Sequence, residues 1–479
     1  MSDGINNKTV VSNLIWRFAE RCGAQGVGFV ISIVLARLLM PEEFGVIALM
    51  NVFINLMGVF VDCGLASSVI QKKNADELDY SSVFVSNVVC SIVVYIIIFV
   101  TAPFIASFYE NSEMSLMLRV LGLSVIIASL KNIQQAYVTK HLLFKKFFYS
   151  TLIGTILSGV VGIVFAYMGF GVWALIFQSL INTIVDTAML WIIVGWYPKW
   201  KFSFKRFKEL FSYGGKLLLS SILDTLYANI QSLIIGKKYT EADLAFYTKG
   251  KQMPELLITN INASLDSVLF PVMSDVQEEK EKLKAITRKA IQTSTSLIWP
   301  ILAAVIASAA ELVHVVLTDK WSGCIIFLQI FCLSYAFWPI HTANLNAIKA
   351  YGQSGTFLKQ EIIKKTLGIT VLLLVFDKGV GMIAVSVLCL APINAFINWF
   401  PNYKNISYKM PELFKDIGPA LGMAAVEFIV IFIISIIKIN IYLKLSLQII
   451  VGVLLYFLMM YLFRRGIVNF IVSCVRKKD

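Results

Sequence analysis

The sequence predicts an all-α polytopic membrane protein, with about fourteen transmembrane helices in two bundles around a central cavity. Three observations predict it. Of 479 residues, 58% are hydrophobic and only 15% charged, and the mean hydropathy is +0.77. A soluble domain is about 45–50% apolar and ~25% charged. Second, mostly apolar runs of about 20 residues, the length that crosses ~30 Å of hydrocarbon, recur along the whole chain. Third, the segments between the runs are short, which leaves no room for a soluble domain. A cytosolic enzyme is thereby excluded. Three His (His141, His314, His341) leave little for a metal centre. The seven Cys show no C-x-x-C spacing. Cys63, Cys90, Cys324, Cys332 and Cys389 fall in apolar runs and read as small buried hydrophobes, not as a disulfide framework.

In order, the expected spans are 13–39, 45–69, 81–108, 116–138, 148–168, 171–195, 211–236, 253–272, 291–317, 323–348, 357–376, 379–400, 417–437 and 443–463. Residues 1–12, ahead of the first, lack the basic–apolar–small order of a cleaved signal. The first span ends at Met40-Pro41-Glu42-Glu43, and the second carries Asp62 near its end. The fourth contains Arg119 and Lys131, the sixth Asp186, the ninth Glu311 and His314, and the thirteenth Glu427. These isolated groups read as interhelical hydrogen-bonding or interface residues, with His314 also a candidate proton relay. Spans five, twelve and fourteen are almost purely apolar, as lipid-facing or packing helices should be. Lys and Arg gather in the even-numbered loops and both tails, which predicts that both termini are cytoplasmic. The densest groups are Lys199, Lys201, Lys205, Arg206 and Lys208, and Arg464, Arg465, Arg476, Lys477 and Lys478. They set topology or contact anionic lipid. The net charge of +13 therefore calls for no nucleic-acid partner.

The basic loop 196–210 divides the chain. Residues 1–195 form an expected N-terminal bundle of spans one to six, and 211–400 a C-terminal bundle of spans seven to twelve. Residues 401–479 hold spans thirteen and fourteen and a basic tail. A repeat flanks the loop at an offset of 200 residues. Ser32-Ile33-Val34-Leu35-Ala36-Arg37 aligns with Ser232-Leu233-Ile234-Ile235-Gly236-Lys237. Glu43-Phe44-Gly45 aligns with Asp243-Leu244-Ala245, and Asp62 with Asn262. Parallel repeats about an axis along the membrane normal are a transporter device.

Polar residues inside spans are costly, roughly 2.5–3.5 kcal/mol each on insertion scales, so they mark function. Span one carries Arg17, Arg21 and Gln25 on one face, with Glu20 alongside. Span two carries Asn51, Asn55, Gly58 and Asp62. Span seven carries Lys216, Ser220, Asp224, Tyr227 and Gln231, and span eight Thr259, Asn262 and Asp266. Residues four apart share a helix face. Four wet stripes, on the first two spans of each half, predict a water-filled central cavity. Each stripe has a plainer reading too. Arg17, Arg21 and Lys216 can snorkel to headgroups, and Asp62 can cap the turn before Gly64.

The Arg fork and the Lys point charge suit a diphosphate. The Asn, Gln, Ser, Thr and Tyr groups, Asn229 among them, suit sugar hydroxyls. At this point the residues resemble a family. Arg37-Leu38-Leu39-Met40-Pro41-Glu42-Glu43-Phe44-Gly45 is similar to the turn after the first span of bacterial polysaccharide-transport flippases. Asp62-x-Gly64-Leu65 with Val69-Ile70-Gln71 resembles their second span. Phe211-Ser212-Tyr213-Gly214, then Asn229-x-x-x-Leu233-Ile234-Ile235-Gly236, Ala245-x-Tyr247, Pro254 and Phe270-Pro271 resemble their central signature. The chain departs from it at Ala245, where the family usually has Gly, and at Gln231, where it often has Asp. Such proteins belong to the multidrug/oligosaccharidyl-lipid/polysaccharide exporter superfamily, which includes the MATE exporters. The resemblance implies flipping of undecaprenyl-diphosphate-linked oligosaccharide across the bacterial cytoplasmic membrane for O-antigen, capsule or exopolysaccharide assembly.

On this reading Arg17, Arg21, Gln25, Asn51, Asn55, Lys216, Asn229 and Asn262 are candidates for substrate binding. Glu20, Asp62, Asp224 and Asp266 are candidates for coupling to a proton or sodium gradient. No cofactor or metal is expected. Besides the lipid-linked oligosaccharide and membrane lipids, the expected partners are a polysaccharide polymerase and glycosyltransferases. Two rivals are an ion-coupled multidrug exporter of the same superfamily and a membrane enzyme of the same pathways. Basic residues at the cavity mouth favour the flippase. Scarce His and the lack of a large outer loop disfavour the enzyme.

Overall fold

The structure, a computed structural model, describes residues 7–464, with side chains throughout except at residues 7–22, 263–268 and 354. The described regular elements are all helical. They are α1 (Asn7–Leu38), α2 (Pro41–Asp62), α3 (Leu65–Gln71), α4 (Glu77–Phe108), α5 (Met114–Lys140), α6 (Phe144–Tyr167), α7 (Val172–Val194), α8 (Phe204–Lys238) and α9 (Glu241–Asp275). There follow α10 (Lys280–Ala307), α11 (Ala309–Val316), a 3-10 segment (Asp319–Cys324), α12 (Ile325–Tyr335), α13 (Trp338–Ala350), α14 (Ser354–Val375), α15 (Val380–Asn405), α16 (Met410–Ile436) and α17 (Ile441–Phe463). In hydrocarbon each backbone polar group must be satisfied within its own segment, which helices achieve.

Among the described residues, eleven helical segments are long and apolar enough to cross a membrane. The helix at the eleventh expected span, α14, falls outside that set; α1 and α9, at the first and eighth, are described only in part. In α14 the reason is Lys359, Glu361, Lys364 and Lys365, which load its first half with charge. Three expected spans are broken in two. The second stops at Cys63 and Gly64, whose φ of 49° and 64° cannot continue a right-handed helix. The ninth breaks at Ser308 and the tenth at Ala336–Phe337.

The repeat is visible in the helix ends. α1 stops at Leu38 and α2 starts at Pro41; α8 stops at Lys238 and α9 starts at Glu241. Both second helices are capped from their third residue. Glu43 accepts the Met40 backbone N–H at 2.7 Å, and Asp243 accepts the Thr240 N–H at 3.2 Å and the Thr240 hydroxyl at 2.7 Å.

The chain forms two compact units, Met1–Ala245 and Phe246–Asp479. In the first, α6 packs against α1 and α7, and α4 against α5. Gly154 of α6 lets the backbone of Asp186 approach, and Lys131 of α5 reaches that carboxylate at 2.9 Å. Lys131 and Asp186 are therefore partners, not isolated groups. Arg119 lies over the Phe99 ring at 4.2 Å and donates to its carbonyl. The apolar core below joins Leu65, Val69, Phe84, Ile133 and Leu210.

Segment 196–203 is fastened to the start of α4. The Lys199 and Ser203 backbone N–H groups donate to the hydroxyls of Ser81 and Ser82, each at 3.1 Å. Lys199 pairs with Glu77 and Arg206 with Asp76. Two members of the basic cluster thus tie the loop down, while Lys201, Lys205 and Lys208 stay exposed.

In the second unit α16 lies between α10 and α17, and α15 gathers α12, α13 and α14. Arg288 of α10 grips Asp416 of α16 through two 2.8 Å bonds, and Tyr408 and Gln292 donate to the same carboxylate. His314 pairs with the exposed Asp319, and Glu311 lies 3.7 Å from Lys444.

Candidate functional site

The site begins with α2 and α8, which run antiparallel, with close backbone approaches near both ends: the first turn of α2 meets the start of α9, and the turn after α2 meets α8. A Cβ at Gly45 would stand 1.9 Å from the Glu241 carbonyl oxygen, and one at Gly64 would stand 2.4 Å from that of Gly214. Between these points α8 is nearly bare. It buries only Leu210, Gly214 and Ile235. Lys216, Ser220 and Asp224 are exposed at helical spacing, and Leu219 and Leu223 are exposed beside them. On α2, Asn51, Asn55 and Gly58 are exposed, and Gln25 is exposed on α1. Four-residue spacing on a rigid helix aligns these groups on exposed surface. A polar stripe on a spanning helix that protein does not cover requires water, because lipid cannot hydrogen-bond it.

Other expected site residues are already engaged. The Asn229 amide donates to the Thr225 carbonyl on its own helix at 2.8 Å. Half-buried Asp62 accepts the Ala66 backbone N–H and so caps α3. Asn262 is only 7% exposed, and its amide has no hydrogen-bond partner among the described residues. Arg17, Glu20, Arg21 and Asp266 lie outside the described side chains.

Sequence reasoning missed the groups that join α2, α4, α8 and α9 at the Gly45 end. Lys237 pairs with Glu110 at 2.8 Å, Asn111 donates to Glu241 at 2.8 Å, and Tyr109 reaches the Leu233 carbonyl. With Gly45 and Gly236 they enclose a polar cavity of about 340 Å³. The Lys237 ammonium holds the Glu110 carboxyl below the usual carboxylate range, and burial pushes the Tyr109 hydroxyl up to about 12. The signal was present in Gly45, whose place in the turn motif now has a cause: close backbone approach.

Exposed polar stripes on spanning helices, on this all-helical plan, define a multi-pass membrane transporter. The fold agrees with that of the lipid II flippase MurJ in an inward closed conformation, with a TM-score of 0.75 and 15% identity, over 96% of this chain and all of the other. An inward-facing MATE family multidrug transporter gives 0.63 at 16% identity, over 82% of this chain and 98% of the other. The profile of the polysaccharide biosynthesis protein family matches residues 34–326, more than half of the chain, and the chain belongs to that family. The succinoglycan biosynthesis transport protein ExoT of Rhizobium meliloti is 22% identical over 364 residues, 76% of this chain and 74% of its own length.

Proposed function

We propose that this protein flips undecaprenyl-diphosphate-linked oligosaccharide units across the bacterial cytoplasmic membrane for polysaccharide assembly, exposing its site to each side in turn. One observation carries the reading: the exposed polar stripes of α2 and α8 in a chain of a polysaccharide biosynthesis family. Arg17, Arg21 and Lys216 bind the diphosphate, whose oxygens match the guanidinium fork. Gln25, Asn51, Asn55, Asn229 and Asn262 meet sugar hydroxyls. Glu20, Asp62, Asp224 and Asp266 balance the cations or couple the cycle to a proton or sodium gradient. The chain acts as a carrier, without catalysis or cofactor, and works beside a polymerase and glycosyltransferases. The multidrug reading has less support, since family and curated relative point to polysaccharide.

Loop Lys and Arg support cytoplasmic termini; a reporter fused after Asp479 that works only outside the cytoplasm would reverse that orientation. The test of function is Arg21→Ala at matched membrane level in a deletion strain. Losing one Arg from a buried charge pair typically costs ~2–5 kcal/mol, tenfold per 1.4 kcal/mol. Lipid-linked units should accumulate inside, and Arg21→Lys should restore export only in part. Full complementation by Arg17→Ala/Arg21→Ala would reduce this pair to anchoring.

A further inference from the structure

We propose that Glu427 is a proton-binding site, and that its proton ties α16 to α17. Glu427 lies mid-way along α16 and is 2% exposed. It faces a cavity of about 290 Å³ between α10, α11, α16 and α17, whose walls are mostly aliphatic, including Ile301, Val305, Leu312 and Val453. Its Oε2 has no hydrogen-bond partner among the described residues. Its Oε1 rests against Gly452 of α17, where a Cβ would stand 3.0 Å away. A larger residue there would press the carboxyl aside by a few tenths of an ångström.

Gln448 lies one turn before Gly452 on α17, is 1% exposed and lines the same cavity. Its amide nitrogen donates to the carbonyl of Ile431, one turn beyond Glu427 on α16. Its Oε1, like Glu427 Oε2, has no partner among the described residues. Two orphan acceptors, a carboxylate oxygen and an amide oxygen, thus belong to residues that meet the facing helix one turn apart and line the same cavity. A buried acceptor without a donor is costly, and a buried carboxylate without a cation far more so. One proton on Glu427 removes both faults: the carboxyl becomes neutral and its O–H donates towards Gln448 Oε1. Ionisation would leave a bare charge between the two helices, so proton loss and loosening of the α16–α17 contact go together.

Few charges compete for this role. Among the described residues, α17 contributes Tyr456 to the cavity, and α10 contributes no ionisable side chain to it. The nearby Glu311 of α11 and Lys444 of α17 face each other. Arg288 and Lys284 of α10 are engaged with Asp416 and Glu412 at the start of α16.

The proton site stands apart from the transport reading, whereas its use in coupling rests on that reading. The probe is dicyclohexylcarbodiimide, an apolar reagent that adds to protonated carboxyls. The acid proton passes to a carbodiimide nitrogen, the carboxylate oxygen bonds to the central carbon, and nothing leaves. Membranes holding the full chain are treated from about pH 6 to about pH 9, and peptides are read by mass spectrometry. Glu427 should carry the adduct, with a yield that falls as pH rises, and E427Q should carry none. Asp416 is as buried but ionised by Arg288, so it should stay unmodified. An unmodified Glu427 throughout, or Asp416 modified alongside it, overturns the site. Export by E427Q at wild-type membrane level should lose its dependence on the proton gradient. Wild-type dependence in E427Q, or none in the unaltered protein, overturns the coupling. A deletion strain with normal polysaccharide would instead overturn the transport reading and leave the adduct result standing.

Discussion

Replacing Gly45 by Ala tests whether the α2–α9 contact is part of the working protein. Gly45 lies in ordinary helix, so the substitution adds a methyl group and no backbone strain. The new Cβ would fall 1.9 Å from the Glu241 carbonyl oxygen, where real contacts stay above 3.0 Å. That oxygen is backbone and cannot rotate away, so the turn before α9 must retreat by more than 1 Å. Overpacking of this kind costs about 1–3 kcal/mol, and a fixed backbone obstacle belongs at the upper end. Ala improves helix propensity over Gly by about 1 kcal/mol. The net penalty is therefore about 1–2 kcal/mol, a factor of roughly 5–30 in the population of the closed turn. Gly58, on the same helix, is the control, because a Cβ there meets nothing within 4 Å. Gly58→Ala should gain the propensity term alone. Thermal melting of the two purified variants in detergent should move in opposite directions, down for Gly45→Ala and up for Gly58→Ala. Polysaccharide export by Gly45→Ala should fall at equal membrane level. If Gly45→Ala melts at or above the unaltered protein, the close approach is not a real constraint and the argument collapses.

The same turn offers a reversible lock. The Asn111 and Glu241 side chains meet tip to tip at 2.8 Å, so Asn111→Cys/Glu241→Cys bridged by a short bis-methanethiosulfonate should stop export and recover on reduction; undiminished export by fully crosslinked protein would remove alternating access at this end. Glu110 is held below its ordinary 4.5 by Lys237. A depressed acid contributes fully above its ordinary value and loses that contribution only as pH falls through the lowered one, so the difference in melting temperature between the unaltered protein and Glu110→Gln should be flat from about pH 5.5 to about pH 8. A step inside that window would contradict the pairing with Lys237. In the second unit, Arg288→Ala leaves Asp416 buried without its cation and should cost about 3–5 kcal/mol. Asp416→Asn leaves Arg288 partly exposed and still 3.3 Å from Glu412, so its effect on melting should be the smaller of the two, and the reverse order would contradict this account.

The helices were legible because each expected span is an apolar run, and the repeat was legible because Glu43 and Asp243 cap equivalent turns. Of the breaks, only the turn before Gly64 left a sign, in Asp62. Cys63 gives no sequence signal for a positive φ, and Ser308 lies in an unbroken apolar run. Pairings across distant helices were equally hidden: Lys131 and Asp186 are 55 residues apart, and nothing in either neighbourhood names the other. The stripes on α2 and α8 were found by spacing alone, since a polar face at every fourth residue is a one-dimensional pattern. The Glu110–Lys237 and Asn111–Glu241 contacts lie in turns between spans, where charge is ordinary and carries no information. Asp62 accepts from the Ala66 N–H at the start of α3, in keeping with its reading as a cap for the turn before Gly64.

The two ends of the α2–α8 pair are unequally tied, and this bears on the order of events in any transport cycle. At the Gly45 end, the links are the Asn111–Glu241 hydrogen bond and the Lys237–Glu110 pair, both at exposed residues. A hydrogen bond contributes about 0.5–1.5 kcal/mol, and water replaces exposed partners readily. At the Gly64 end, Asp79 is fully buried and bonded to Lys72, with Arg206 at 3.8 Å and joined to Asp76. The Ser81 and Ser82 hydroxyls hold the chain leading into α8. Opening there would break the Arg206 pairs and both serine hydrogen bonds together, although Lys72 would stay with Asp79. From this conformation, the Gly45 end should therefore part first, with α8 still fixed through Ser203 and Arg206. Loop 196–203 is then an anchor in this conformation, and motion of α8 must be taken up along the bare stretch between Gly214 and Ile235, where Lys216, Ser220 and Asp224 lie.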